Sequence, residues 1–207
     1  MHLEFLVEEP SIESALTQLL PKRLPPTVSS KIHAFRGKRD LLANLPNRLK
    51  GYQAWLPPDW KIVILIDEDR EDCLKLKKQL EDMARSAGLI TKSSCQTDKS
   101  FQVLNRIVVE ELEAWFFGDV EAIRQAYPKV SVNLANQQPY RDPDAIKGGT
   151  SEALERVLKK AGYHPGGLEK YKASSEISKY MNPESNRSKS FKFFYQGLLE
   201  SINSKQV

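Results

Sequence analysis

The sequence predicts an α/β protein: a mainly parallel sheet flanked by helices, followed by a helical C-terminal extension. Three stretches carry this expectation. Lys61-Ile-Val-Ile-Leu-Ile-Asp-Glu-Asp-Arg-Glu-Asp72 runs five consecutive apolar residues, four of them β-branched, straight into an acidic cluster and then a helical pattern. A short, continuous apolar run marks a strand buried on both faces, as parallel strands are. The same strand–acid–helix design occurs at Leu3 to Val7, followed by Glu8-Glu9-Pro10-Ser11, and again at Val103 to Val109, followed by Glu110-Glu-Leu-Glu113. Strands of one parallel sheet end on one edge, and in open α/β sheets that edge is where ligands bind.

In chain order, Leu3–Val7 is the first strand. A helix capped by Ser11 follows, with Ile12, Ala15, Leu16, Leu19 and Leu20 at helical spacing until Pro21. Lys31–Phe35 is a short strand. Leu41, Leu42, Leu45 and Leu49 mark a helix in which Pro46 predicts a break. Gln53 to Trp60 reads as a loop whose tryptophans cap the core. After the Ile62–Ile66 strand, Leu76, Leu80, Met83, Ala84 and Ala87 mark a helix ending near Gly88, and Leu89–Thr91 reads as an edge strand. Thr97 to Ser100 is polar and loop-like. A helix after Val109 would put Glu110 and Glu113 on one face, with Leu112, Trp115 and Phe116 packing inward. A helix from Asp119 to Tyr127 stops at Pro128, a turn-rich loop or lid spans 131–149, and Ser151 caps the next helix. Further helical segments surround Ile177 and Phe191–Leu199, joined by Asn186-Arg-Ser-Lys-Ser190. The predicted division is an α/β core over 1–127 and a loop-rich, helical extension over 128–207.

Composition narrows the function. The chain is 40% hydrophobic and 28% charged over 207 residues, with two cysteines and no apolar run near the length of a membrane span. Met1-His-Leu-Glu-Phe-Leu-Val7 lacks the features of a signal peptide, so a cytoplasmic protein without membrane attachment is expected. His2, His33 and His164 are too scattered for a zinc pattern. Charge is uneven: residues 1–127 hold 18 basic and 19 acidic side chains, net −1, whereas residues 128–207 hold 13 basic and 8 acidic, net +5. A chain acting on a polyanion is arranged this way, and so is one with a solvated basic surface.

The acids at the strand ends are the candidate site. Asp67 and Asp69, in a strand-to-helix turn, suit a hard, oxygen-seeking cation. Capping the next helix would account for one or two acids, not for five in six positions. Glu8 is expected at the same edge as Asp67, with one glutamate of the 110–113 group. Arg36, Lys38 and Arg39, at a strand-to-helix junction, are placed to meet phosphates, but a solvated turn is the commoner outcome.

The stretches Leu6-Val-Glu-Glu-Pro-Ser11, Leu65-Ile-Asp-Glu-Asp69 and Glu111-Leu-Glu-Ala-Trp-Phe-Phe-Gly-Asp119 together resemble a Toprim-like (Rossmann-like) family of uncharacterised small bacterial proteins. The likeness extends through Arg141-Asp-Pro-Asp-Ala-Ile-Lys-Gly-Gly149 and Asn186-Arg-Ser-Lys-Ser-Phe191. The wider Toprim group includes topoisomerases, primases and nucleases of the overcoming-lysogeny type. The resemblance implies a Mg²⁺- or Mn²⁺-dependent phosphodiester-cleaving enzyme acting on nucleic acid. By position, Glu8 matches the Toprim glutamate, and Asp67 and Asp69 match the Asp-x-Asp pair. Glu111 would complete the metal shell and Glu113 would take part in proton transfer. Lys147, Arg187 and Lys189 would meet the phosphate backbone. One departure stands out: Glu9 occupies the place where Toprim proteins usually carry glycine. The resemblance also implies a defence or mobile-element setting, with a partner ATPase on a separate chain, because this sequence has no Gly-Lys-Ser/Thr phosphate loop. The alternatives are a non-catalytic Toprim-like binding or regulatory module and a small-molecule nucleotide phosphotransferase.

Overall fold

The computed structural model describes residues 1–95 and 100–203. Four parallel strands, β1 (His2–Val7), β2 (Ser29–Ala34), β3 (Trp60–Asp67) and β4 (Val103–Val108), form one sheet in the order β2-β1-β3-β4. The expected α/β class is the observed one, and the sheet, expected to be mainly parallel, is parallel throughout. From β1 the chain crosses to β2 on one side, and from β3 it crosses to β4 on the other. The order therefore reverses between β1 and β3, and such a switch point opens a crevice at the strands' C-terminal ends.

Both faces of the sheet are covered, which is why Ile62 to Ile66 are apolar without alternation. On one face Leu3, Phe5, Val7, Val63, Leu65, Leu104 and Val108 meet α1 (Pro10–Leu19), α4 (Glu113–Gly118), α5 (Val120–Ala126), α7 (Lys170–Ser178) and α8 (Lys189–Asn203). On the other, Leu6, Ile62, Ile64, Ile66, Val103 and Ile107 meet α2 (Lys38–Trp55) and α3 (Cys73–Ser86). Ile62 through Ile66 are 0% exposed, and each side chain contributes about 1.5–3 kcal/mol relative to solvent. Residues on either side of position 127 share the first of these cores. In it Trp115 of α4 stacks on Phe194 of α8 at 5.0 Å and donates its indole N–H to Ser190 Oγ at 3.0 Å. α6 (Thr150–Lys160) packs on α4, and 3₁₀ turns at 134–136, 138–140 and 143–145 precede it.

Several local expectations are corrected. Ser11 does not cap α1. Glu9 holds the cap position, Pro10 occupies the first turn, where its missing N–H costs nothing, and the Ser11 hydroxyl donates to the Glu9 carboxylate. Pro46 does not break α2, which continues to Trp55 because Leu41, Leu45, Leu49 and Tyr52 are all packed on the sheet. Trp55 is 55% exposed and caps no core. Leu89–Thr91 forms a single parallel bridge, Thr91 to Val103, rather than a strand. Gly149, not Ser151, precedes α6, with φ 88°. Of the polar loop expected at Thr97 to Ser100, residues 97–99 lie outside the described residues. Among the described residues no helix is long and apolar enough to cross a membrane.

Candidate functional site

The site begins at the switch point. β1 and β3 pair in register Val7 to Leu65, so Glu8 and Asp67 leave the sheet together. The Glu8 N–H donates to the Leu65 carbonyl at 3.1 Å, and Glu8 Oε2 accepts the Asp67 backbone N–H at 2.9 Å. Asp67 continues the period-two pattern of Val63 and Leu65, so its side chain falls on the α1/α4/α7 side. It is 4% exposed, and its Oδ1 has no hydrogen-bond partner among the described residues. Glu113 opens α4, is 1% exposed, and its Oε2 is likewise unpartnered.

Three buried carboxyls thus gather at one edge, and their protonation shows it. Burial pushes Glu8 up to about 7 against a backbone hydrogen bond from Asp67 that pulls it down. Burial likewise raises Glu113 to about 7. Asp67 stands well above the usual carboxylate range, first through burial and then through the charges of Glu8 and Glu113.

Two lysines flank this cluster. Lys38, at the start of α2, lies 2.7 Å from Asp69 Oδ2, 3.2 Å from Glu71 Oε1 and 3.1 Å from the Glu68 carbonyl. Burial lowers its proton affinity, but Asp69 and Glu71 outweigh that and leave it raised. It arrives there because Gly37, with φ 98°, bends the chain so that its N–H reaches the Glu8 carbonyl at 2.9 Å. Lys170, at the start of α7, lies 3.6 Å from Glu111 Oε1. Burial opposes its charge, and Glu113, Glu9, Glu111 and Asp67 together override that and raise it.

The Asp-x-Asp pair is therefore split. Asp67 is buried against Glu8 and Glu113, whereas Asp69 is half exposed and paired with Lys38, its charge still near enough to raise Glu8 and Asp67. The cause is backbone: Asp69 has φ 54° and Glu110 has φ 60°, and the two turns are locked together. The Asp69 N–H donates to the Glu110 carbonyl at 2.8 Å, and the Glu110 N–H to Glu68 Oε2 at 3.1 Å. Left-handed conformations cost a non-glycine residue about 1–2 kcal/mol. Glu110→Gly is accordingly expected to raise unfolding stability by about 1 kcal/mol in urea melts; a loss would show that the Glu110 side chain holds the turn.

Other expected site residues go elsewhere. Glu110 and Glu113 do not share a helix face, because the helix starts only at Glu113. Glu111 turns to α6, accepting the Ser151 N–H at 2.9 Å and the Thr150 hydroxyl at 3.3 Å. The cap of α3 is Asp72, which accepts the Leu74 and Lys75 N–H groups, so neither Asp67 nor Asp69 is a helix cap. Arg187 gives its guanidinium to the carbonyls of Phe117 at 3.1 Å and Arg141 at 3.2 Å, not to the acidic edge. The Lys189 N–H is held by Asp144 Oδ2 at 2.5 Å, and its side chain lines a surface pocket with Arg106 and Phe193. Asn186 is an anchor: its Nδ2 donates to the Trp115 carbonyl at 2.8 Å, and its side chain fills the space that a Cβ on Gly118 would need. Lys147 is exposed on the loop before α6. Lys38 and Lys170 were not anticipated as site residues. The position of Lys38 just after a strand-and-glycine turn was a usable signal; Lys170 had none.

The donors suit a hard divalent cation in kind, since carboxylate oxygens are its ligands and Asp67 Oδ1 and Glu113 Oε2 lack partners among the described residues. As the side chains stand, no three His, Cys, Asp or Glu among the described residues form a group that could hold a metal ion.

No curated protein matches the chain. The C-terminal region of the Burkholderia pseudomallei OLD protein is similar in outline, with 14% identity, a TM-score of 0.47, and coverage of 97% of this chain and 96% of that one. A family model described as a domain of unknown function, DUF4276, matches residues 7–199. That match runs from the end of β1 into α8 and takes in the acidic edge together with the helices behind it; the chain belongs to the DUF4276 family.

Proposed function

We propose that this protein is a Toprim-like, Mg²⁺- or Mn²⁺-dependent phosphodiester hydrolase acting on nucleic acid. The observation that carries the proposal is the buried trio Glu8, Asp67 and Glu113 at the switch point, with two carboxylate oxygens lacking partners. Asp67, Asp69 and Glu8, with Glu111, are the residues that would hold the cation. When bound, it would neutralise the crowded carboxylates and make water more acidic. Glu113, titrating at about 7, is suited to accept and return a proton near neutral pH. Lys170 sits beside Glu111 and offsets charge at the edge. Lys38 holds Asp69 and would have to release it for the pair to converge. A partner ATPase on a separate chain fits this proposal, as does a role in defence or mobile elements.

A second reading, a non-catalytic binding or regulatory module, is favoured by one feature: Lys38 already neutralises Asp69 at 2.7 Å. Incubating labelled single- and double-stranded DNA and RNA with the full chain in millimolar Mn²⁺ separates the two. Cleavage by wild type is expected, with a loss of at least about 100-fold in Asp67→Asn, since even the outer partners of metal ligands cost 10–100-fold. Absence of cleavage, or equal cleavage by the variant, hands the result to the binding module.

A further inference from the structure

A second polar feature lies away from the acidic edge, in a cavity of about 260 Å³ between α6 and the 3₁₀ segment after α5. Its wall includes Lys129, Arg156 and Lys160, with Ser131, Gln137 and Tyr140, and no acidic residue. Arg156 and Lys160 stand four apart on α6, where like charges are neighbours and repel. Both are exposed, and among the described residues neither has an acidic partner. The acid that would have served Arg156, Glu152 one turn earlier, folds back against Gly149 instead. Lys129 is held over the Tyr163 ring, 5.9 Å from its centroid. Three cations thus line one small concavity, and among the described residues none of them has an acidic partner. Tyr140 lies flat on Phe117, the rings 6° from parallel and 5.1 Å apart, so this wall is rigid.

The cavity is also tied to the acidic edge by a single straight element. The first turn of α6 contacts Glu111 through the Ser151 N–H. At 1.5 Å per residue, Arg156 is about 7.5 Å and Lys160 about 13.5 Å further along the same axis than Ser151. Two cations one turn apart on α6, with Lys129 on the facing loop, match successive phosphates of a chain better than one free anion.

We propose that this pocket is a phosphodiester-backbone subsite: Lys129, Arg156 and Lys160 bind neighbouring phosphates of a single-stranded nucleic acid led along α6 from the acidic edge. The flexible backbone of an unpaired strand can bend into such a concavity more readily than a stiff duplex can. The choice of nucleic acid rests on the function proposed above, but binding at this pocket needs neither metal nor Asp67.

The test uses the full chain in EDTA and a fluorescein-labelled single-stranded oligonucleotide, with affinity measured by anisotropy across a salt series. Each phosphate contact to a single strand contributes about 0.7 to the slope of log affinity against log salt, so Arg156→Gln/Lys160→Gln is expected to flatten it by about 1.4. Both side chains are exposed and unpaired, so the variant is expected to fold, with a thermal melt as the check. Arg156→Lys/Lys160→Arg, which keeps both charges, is expected to keep the wild-type slope. An unchanged slope in the charge-removing variant would overturn the proposal. So would displacement of the probe by inorganic phosphate, or by anionic lipid vesicles, at the same phosphate concentration as unlabelled oligonucleotide. Loss of cleavage with this binding intact would sink only the hydrolase; intact cleavage with no slope change would sink only the subsite.

Discussion

Wild-type protein is expected to gain about 5–10 °C in melting temperature on addition of millimolar Mn²⁺, and Asp67→Asn is expected to gain almost nothing. A ligand present at 100 times its Kd stabilises by about 2.7 kcal/mol, and for a chain of this size each kcal/mol moves the midpoint by about 2–4 °C. The reason is the crowding at the edge. Glu8, Asp67 and Glu113 are all buried, and Asp67 is raised by burial and by the charges of the other two. A cation removes the repulsion and binds only where the fold brings these groups together. Asn in place of Asp67 keeps the shape and removes one charge. The variant should therefore be at least as stable as wild type in EDTA, above neutral pH, while losing its response to metal. Melts of both proteins with EDTA, Mg²⁺ and Mn²⁺ decide the matter. A flat wild-type response, or equal shifts in both proteins, would mean that the acidic edge does not take a metal.

The second large effect concerns Glu113 and pH. Its carboxyl is pushed up from 4.5 to about 7, mainly by burial. Below the lower value it is protonated in both folded and unfolded chains, and Glu113→Gln should match wild type. Between the two values the unfolded chain loses the proton while the folded chain keeps it, so wild type loses stability as pH rises. Above about 7 that loss is complete and amounts to about 3 kcal/mol, because each tenfold difference in proton affinity is worth 1.36 kcal/mol. Glu113→Gln is therefore expected to be the more stable protein at about pH 8 and its equal below about pH 4, read from urea midpoints at constant slope. Metal binding should strengthen over the same interval, since it competes with those protons. Equal pH profiles for the two proteins would show that Glu113 ionises freely in the fold.

These predictions concern residues of two kinds. Glu8 and Asp67 were legible because strand and acid adjoin in the sequence. The unbroken run Ile62 to Ile66 demands a strand covered on both faces, which demands a parallel, doubly flanked sheet. Parallel strands deliver whatever follows them to one edge. Burial pattern and chain direction are local properties, and they were enough for the class of the fold and for the meeting of Glu8 and Asp67 at one edge.

What the sequence did not determine is how each side chain leaves that edge. Asp67 and Asp69 are equivalent in spacing, yet left-handed turns at Asp69 and Glu110, bonded to each other, send Asp69 across to Lys38. Glu111 and Glu113 are equally acidic, yet the start of α4 at Glu113 buries one while the first turn of α6 captures the other. Lys170 reaches Glu111 only because α7 packs against α1. Arg187 looked like a phosphate contact until the carbonyls of Phe117 and Arg141 were found on its guanidinium. Periodicity reports which positions are buried and in which direction the chain runs. The rotation of a turn just past a strand, and the meeting of side chains far apart in sequence, are set by tertiary packing, because only the assembled helices decide which donors a buried carboxylate can reach.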